Sequence, residues 1–265
     1  MITTLTDGTK VHCLKKPEAK MLDHHVEGYL QHGIVIKEND VVFDVGANVG
    51  VFGVRVLQKA PNVQVFCFEP IPQIANVLSK NAEMHGQGKM TVIQKGVSDK
   101  PQQAVFTYFP NTPALSTLHP EQWDNNPGSF KNAVKSTMKN PPVNMKWMKW
   151  IPTSFSGIIA AYLVRGRQVI HCELTTLSDV IKEKGLEKID LLKIDCEGAE
   201  WAVLMGIQAE DWHKIKALVI EVHDVDDRLK NTQKLLEKHG FAKQVIEQES
   251  GLENSKMYNL FATRK

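Results

Sequence analysis

The sequence has no stretch of ~18 uninterrupted apolar residues, the length that a membrane-crossing helix needs. Its first residues carry no apolar run of signal-peptide length, so an intracellular, cytoplasmic protein is expected. Cysteine is scarce: four in 265 residues, none in CxxC spacing. That excludes a disulfide scaffold and argues against a zinc site. Cys67 and Cys196 fall in or just after segments that read as buried strands. Cys13 and Cys172 stand alone, so free buried thiols are expected. Excess charge is lacking too. Against 32 Lys and Arg stand 30 Asp and Glu, a net charge of +2. A protein built mainly for nucleic acid or an anionic membrane would be more basic. No internal repeat or low-complexity tract occurs. A 42% hydrophobic content remains, enough for a full core and for one domain over residues 1–265 with an insertion.

The most informative stretch is Val41-Val42-Phe43-Asp44-Val45-Gly46-Ala47-Asn48-Val49-Gly50. Its apolar start is too short for a helix and ends in glycines. It predicts a buried parallel strand feeding a tight turn and a helix over Val51 to Lys59. The free N–H groups of that helix would face whatever sits over the strand end. Phe66-Cys67-Phe68-Glu69-Pro70 reads as a second buried strand, ending in an acid about twenty residues after the glycines. An acid at this distance accepts hydrogen bonds from ribose hydroxyls in nucleotide-binding α/β folds. A dinucleotide fingerprint would read G-x-G-x-x-G so that backbone can approach a pyrophosphate. Here Asn48 stands two after Gly46, so a diphosphate is poorly served. S-adenosylmethionine has a ribose and an adenine but no phosphate.

Four segments in this order resemble the motifs of FkbM-type methyltransferases: Asp44 to Gly50; Phe68-Glu69-Pro70; Asp190-Leu191-Leu192-Lys193-Ile194-Asp195-Cys196-Glu197-Gly198-Ala199-Glu200; and Ile220-Glu221-Val222-His223. Together they span residues 40 to 225. The resemblance implies a Rossmann-like class I methyltransferase fold: a mostly parallel seven-stranded sheet, helices on both faces, and an antiparallel C-terminal hairpin. It implies S-adenosyl-L-methionine as cofactor, with Asp44, Gly46, Asn48, Gly50, Glu69, Pro70 and Asp195 around it. Ser98 and Asp99, after the third strand, are the positions it implies at the adenine edge; an Asp-Lys-Pro turn without ligand is the alternative.

Taken in order, Thr3 to Leu14 carries an Asp7-Gly8 hairpin signal. Lys20 to Gln31 has helical spacing, with Met21, Leu22, Val26 and Leu30 on one side. Together these make residues 1–35 an N-terminal lip. The resemblance lays this helix over the cofactor, with His24, His25 and Glu27 as contacts or as a solvated face. Pro72 opens a helix to about His85. Met90 to Val97 reads as the third core strand, and residues 102 to 109 as a further strand. From Pro110 to Pro152 no period holds, which suits a functional loop, and residues 110–165 are read as an inserted substrate cap. Lys146 to Pro152 mixes cations with large apolar groups. It suits membrane contact through residues 146–163, or, with more weight, an inward apolar side with snorkelling lysines. Phe155 to Leu163 is apolar enough to be a buried helix. Asn140-Pro141-Pro142-Val143 lacks the aromatic that stacks a flipped base, and no strand precedes it. Nucleic acid is therefore not an expected partner; a small-molecule acceptor is.

Ile189 to Ile194 and Ala217 to Val222 read as the fourth and fifth core strands, and Phe241 to Gln248 with Met257 to Thr263 as the closing hairpin. Asp195, Glu197 and Glu200 follow a strand end, where open α/β sheets bind ligands. They form a negative cluster suited to a sulfonium, although Glu200 also suits the helix N-terminus. An alcohol acceptor must lose a proton. His223 is the candidate base, Glu221 or Asp224 its orienting acid, and Glu197 the further catalytic carboxylate. Mg²⁺ on Asp195, Glu221 and His223 is an unfavoured variant. The expected activity is O-methylation of a small-molecule hydroxyl, on a secondary metabolite or sugar-like compound. The alternatives are a weakly catalytic binding module on a membrane or protein partner, and a nicotinamide dehydrogenase.

Overall fold

The computed structural model describes residues 1–119, 127–139, 149–248 and 256–264. The chain opens with a hairpin, β1 (Ile2–Thr4) and β2 (Lys10–His12), antiparallel as Asp7-Gly8 predicts. Helix α1 (Lys16–Tyr29) starts earlier than its apolar spacing suggests, because Pro17 sits in its first turn. Then come β3 (Val41–Val45), α2 (Val51–Lys59), β4 (Gln64–Phe68), α3 (Pro72–His85), β5 (Met90–Ile93), β6 (Gly96–Val97) and β7 (Gln102–Tyr108). Residues 110–165, the segment read as a cap, hold α4 (Pro127–Lys139) and α5 (Ser156–Leu163). The second half runs β8 (Gln168–Thr175), α6 (Leu177–Lys184), β9 (Leu191–Ile194), α7 (Glu200–Met205), β10 (Ala217–His223), α8 (Arg228–Lys238), β11 (Lys243–Glu247) and β12 (Met257–Thr263).

The main sheet has seven strands in the order β11-β12-β10-β9-β3-β4-β5. Strands β10, β9, β3, β4 and β5 run parallel, and β12 is antiparallel to both β10 and β11. This is the Rossmann-like class I architecture, with the reversed hairpin at one edge. Every residue of β3 is buried, as a strand covered on both faces must be. One apolar cluster lies on each side of the sheet. Val11 and Val26 of the N-terminal region are buried in the first of them. Asn81 of α3, fully buried, clamps β2 through both backbone groups of His12 and donates to the Val49 carbonyl. The hairpin is thereby tied to the glycine turn.

Three expectations need correction. The third strand does not run from Met90 to Val97. It turns at Gln94–Lys95, where the Lys95 N–H bonds to the Ile93 carbonyl, and Gly96–Val97 pairs with β8 in a separate three-stranded sheet with β7. Gly96 is where that sheet presses closest, since a Cβ there would crowd Leu174. Residues 110–152 are not without regular structure. Val134 and Met138, one helical turn apart, bury α4 against Ala160. Nor is α5 a buried helix: Phe155, Ile158 and Tyr162 are exposed, and only Ser156 and Ala160 are fully buried. Residues 140–148, with the N-P-P segment and the first three residues of Lys146 to Pro152, lie outside the described residues. The cysteines are free; Cys13, Cys67 and Cys172 are buried. Among the described residues no helix is long and apolar enough to cross a membrane.

Candidate active site

Strand β3 ends at Gly46, whose φ of +77° is left-handed. A Cβ there would overlap the Asp195 carbonyl oxygen, so glycine is required where the turn passes the end of β9. Asn48 (φ +50°) and Gly50 (φ +81°) continue the left-handed turn into α2. Asn48 fits because its Oδ1 accepts the Val49 N–H, a local bond that eases this conformation. Its own N–H donates to Glu69 Oε2 at 3.2 Å, and the Ile71 N–H donates to Glu69 Oε1 at 3.0 Å. Glu69 is thus fixed by backbone donors at the end of β4. Burial pushes its pKa up to about 7, against the pull of those N–H groups. Gly46 and Pro70 line one cleft together with Phe68, Val97, Leu118 and Cys196. Ser98 and Asp99 bond to each other at 3.1 Å beside it, against the end of α7. Gly96 and Val97, rather than these two, reach the lining.

Beneath the turn lies a charge cluster that the sequence reading missed. Lys193, 4% exposed, projects from β9 to Asp44 Oδ1 at 3.0 Å, the Gly46 carbonyl at 3.1 Å and Asp195 Oδ2 at 3.5 Å. Burial opposes its charge, but Asp44 and Asp195 outweigh burial and hold its pKa above the usual lysine range. Its ammonium also sits over the rings of Tyr29 and Phe52. The Tyr29 hydroxyl donates to Asp195 Oδ2 at 3.0 Å. The signal was there: one lysine inside the apolar run Leu191-Leu192-Lys193-Ile194 implies a buried, paired charge. Helix α1 does approach the site, through Tyr29 and Glu18. His24 is exposed, and Glu27 pairs with Lys59 on the solvent side.

The end of β10 brings His223 beside two acids of the following loop. Its Nε2 lies 3.9 Å from Glu197 Oε2 and its Nδ1 3.5 Å from Glu200 Oε1. Glu200 accepts the N–H groups of Gly198 (2.7 Å) and Cys196 (3.3 Å), which stiffens the loop before α7. Of the two expected orienting acids, Asp224 is engaged elsewhere and Glu221 acts on His223 through its charge. Asp224 accepts the Leu229 N–H at the start of α8. Burial and then Asp195 and Glu197 drive the pKa of Glu221 well up. Burial opposes protonation of His223, yet Glu200, Glu221 and Asp195 prevail and raise its pKa above the ordinary value. Glu197, held at φ +54°, has its pKa driven well up, first by burial and then by Asp195 and Glu200. Thr117 from the root of the cap donates to the Glu197 carbonyl at 2.9 Å, and Glu18 accepts the Ala114 N–H at 2.7 Å. Among the described residues no three His, Cys, Asp or Glu converge as metal ligands, Asp195, Glu221 and His223 included.

Comparison with known proteins places this arrangement. A family model described as the methyltransferase FkbM domain matches residues 44–248, from the buried Asp44 to the end of β11. The chain belongs to the FkbM methyltransferase family. This FkbM domain is 33% identical to the 31-O-demethyl-FK506 methyltransferase FkbM of Streptomyces tacrolimicus, over 98% of this chain and 95% of that one. It is 31% identical to the methyltransferase sdnD of Sordaria araneosa, over 89% of this chain and 86% of that one. A crystal structure of a methyltransferase FkbM from Methylobacillus flagellatus shares the fold, with a TM-score of 0.50 at 13% identity. It covers 92% of this chain and 52% of that one. The FkbM match takes in the Gly46 turn, Glu69, Lys193, the Glu197 loop and His223 as one unit, and it starts after the hairpin and α1.

Proposed function

We propose that this FkbM-family domain uses S-adenosylmethionine to methylate a hydroxyl of a small molecule, a secondary metabolite or sugar-like compound. One juxtaposition carries the reading. The Gly46 turn, Glu69-Pro70 and the His223–Glu197–Glu200 group lie at the C-terminal ends of neighbouring parallel strands, where open α/β sheets bind their ligands. The residues fit the cofactor. Gly46 offers bare backbone to the cleft. Each oxygen of Glu69 spends one lone pair on a backbone N–H, which leaves a second for a ribose hydroxyl. Asn48, Gly50 and Pro70 shape that turn, Ser98 and Asp99 are assigned to the adenine edge, and Asp44 and Asp195 supply negative charge beside the turn. When bound, the cofactor supplies an electrophilic methyl carbon on a sulfonium.

The chain's own residues supply position and a base. The cap root, through Thr117 and Ala114, fixes the Glu197 loop against α1 and aligns an acceptor for in-line displacement, an effect worth several kcal/mol. Neutral His223 takes the hydroxyl proton on Nε2. Glu200, with Glu221 and Asp195, then stabilises the imidazolium, and Glu197 stands beside Nε2 at 3.9 Å as the further carboxylate. The choice of oxygen is supported by the Streptomyces relative, a methyltransferase of 31-O-demethyl-FK506. No step here needs Mg²⁺. Calorimetric titration with S-adenosylhomocysteine, with and without EDTA, is the first test. Micromolar binding unaffected by EDTA is expected. No binding, or a thermal shift with NAD alone, would remove the reading. Transfer of labelled methyl to hydroxylated acceptors but not to their O-methylated forms then tests the oxygen assignment.

A further inference from the structure

Residues 125–172 contain seven Lys and Arg and no Asp or Glu, in a chain whose total charge is only +2. Six of those cations lie on described residues, and all six are exposed: Lys131, Lys135, Lys139, Lys149, Arg165 and Arg167. Between them, α5 is turned the wrong way for a helix that faces water. Phe155, Ile158 and Tyr162 follow at spacings of three and four residues and so share a face. They are 47%, 68% and 58% exposed, and Trp150 just before them is 88% exposed. The opposite face is already covered. Ala160 is buried, and Ile159 and Leu163 pack on Val134 and Met138 of α4. Lys131 of α4 runs alongside Gly157, so a cation borders the apolar stripe. A surface helix ordinarily shows the reverse pattern, apolar inward and polar outward.

We propose that this face of the cap docks on the surface of an anionic phospholipid bilayer. Exposed aromatic and aliphatic side chains sink to the headgroup–acyl boundary, and surrounding Lys and Arg meet lipid phosphates. The composition selects this occupant. Four of the six cations are lysines, which protein–protein interfaces disfavour. Nucleic acid has no use for an exposed Ile158 beside its phosphates. Complementarity to negative charge is unbroken, since no acid occurs anywhere in the run. The surface is fixed to the fold, because the Asn111 side chain donates to the Tyr162 and Arg165 carbonyls at the end of α5. The proposal is independent of the methyl-transfer reading and stands or falls without it.

The test is co-sedimentation of the full chain with vesicles of phosphatidylcholine alone and of phosphatidylcholine mixed with phosphatidylglycerol. About tenfold more protein should sediment with the anionic vesicles, and the excess should fade as salt rises. Ile158→Glu with Trp150→Ala should abolish sedimentation, and Lys135→Glu with Lys139→Glu should erase the preference for phosphatidylglycerol. Thermal melts confirm that both double variants fold. Equal recovery with both vesicles, no binding at low salt, or full binding by folded Ile158→Glu/Trp150→Ala protein would overturn the proposal. So would light scattering that shows a dimer which Ile158→Glu dissociates, because a second copy would then cover the stripe.

Discussion

At the strand ends, charge is buried and answered; in the cap, charge and apolar surface are both left open. Lys193 and Asp44 are nearly inaccessible and meet at 3.0 Å. Lys131, Lys135 and Lys139 are exposed, Lys131 alongside Gly157, and Ile158 is two-thirds exposed. The first arrangement is paired within the fold at Lys193, although Asp44 Oδ2 and Glu200 Oε2 are buried with no hydrogen-bond partner among the described residues. A site whose lysine is held between two carboxylates can keep one fixed geometry, which methyl transfer needs. A surface that leaves apolar side chains and cations together in water is suited to a partner outside the chain. The two regions touch at Thr117, which donates to the Glu197 carbonyl, and Ala114 ties the same segment to Glu18 of α1.

The comparison breaks most readily at Gly46. Gly46→Ala forces a side chain into a left-handed turn and into the Asp195 carbonyl. The expected loss is about 4 kcal/mol or more, in the range reserved for core strain, read as a collapse of the urea midpoint. A wild-type midpoint would mean that the turn can relax away from β9. Lys193→Met comes next. It leaves Asp44 buried without its cation, which costs about 3–5 kcal/mol. Adding Asp44→Asn should recover much of that, because the stranded charge is removed with its partner. If the double variant is no more stable than the single one, the pair matters for packing rather than charge.

These two positions also show what was legible in the sequence. Strand β3, α3 and the closing hairpin were readable because a strand covered on both faces must be apolar throughout and proline marks a first helical turn. The glycine turn and Glu69 were readable because their geometry demands those residue types. Lys193 was hidden inside a motif whose carboxylates drew the attention, and Tyr29 lies 166 residues from its partner Asp195, beyond any local pattern. The break at Gln94–Lys95 was invisible because two successive strands in different sheets share one β-type composition. The cap misled for a physical reason. Period-based reading assumes that apolar faces point inward, and α5 points one outward. Glu200 was read as a helix-end acid, and it does bond the loop there, but the approach to His223 depends on the tertiary fold.

At the catalytic end, His223→Gln should lower turnover by ~10²–10⁴-fold, the usual contribution of a positioned base, with S-adenosylhomocysteine affinity unchanged. The rising limb of kcat/KM against pH should sit above the ordinary histidine value. Neighbouring acids raise the His223 pKa, and the base must be neutral to act. A limb that survives in His223→Gln would assign the titration to another group. Glu69 has a smaller effect. Glu69→Gln should weaken S-adenosylhomocysteine by about 1–3 kcal/mol, the worth of charge-assisted hydrogen bonds. Its folded pKa, about 7, lies above its ordinary value of 4.5. Folding therefore favours the protonated acid. The contribution to stability is fullest below ~4.5 and is lost as pH rises through ~7. Ribose hydroxyls favour the ionised acid instead, so cofactor affinity should climb between pH 6 and 8 in the wild type. A climb of equal size in Glu69→Gln would take the titration away from Glu69.

The smallest effect is the one that separates the two regions most sharply. Ile158→Ser removes an exposed apolar side chain on the open face of α5. The buried face, with Ala160 on Val134 and Met138, is untouched. Stability should change by less than about 0.5 kcal/mol, as for surface positions that meet no partner, and cofactor affinity should not move. A loss of 1–2 kcal/mol would show that the stripe is packed within the chain itself, and the cap would then be complete on the same terms as the sheet. Unchanged stability with unchanged cofactor binding leaves the exposure of Ile158 unexplained by folding. A side chain that folding does not need and water does not favour is then there for what it meets outside the chain.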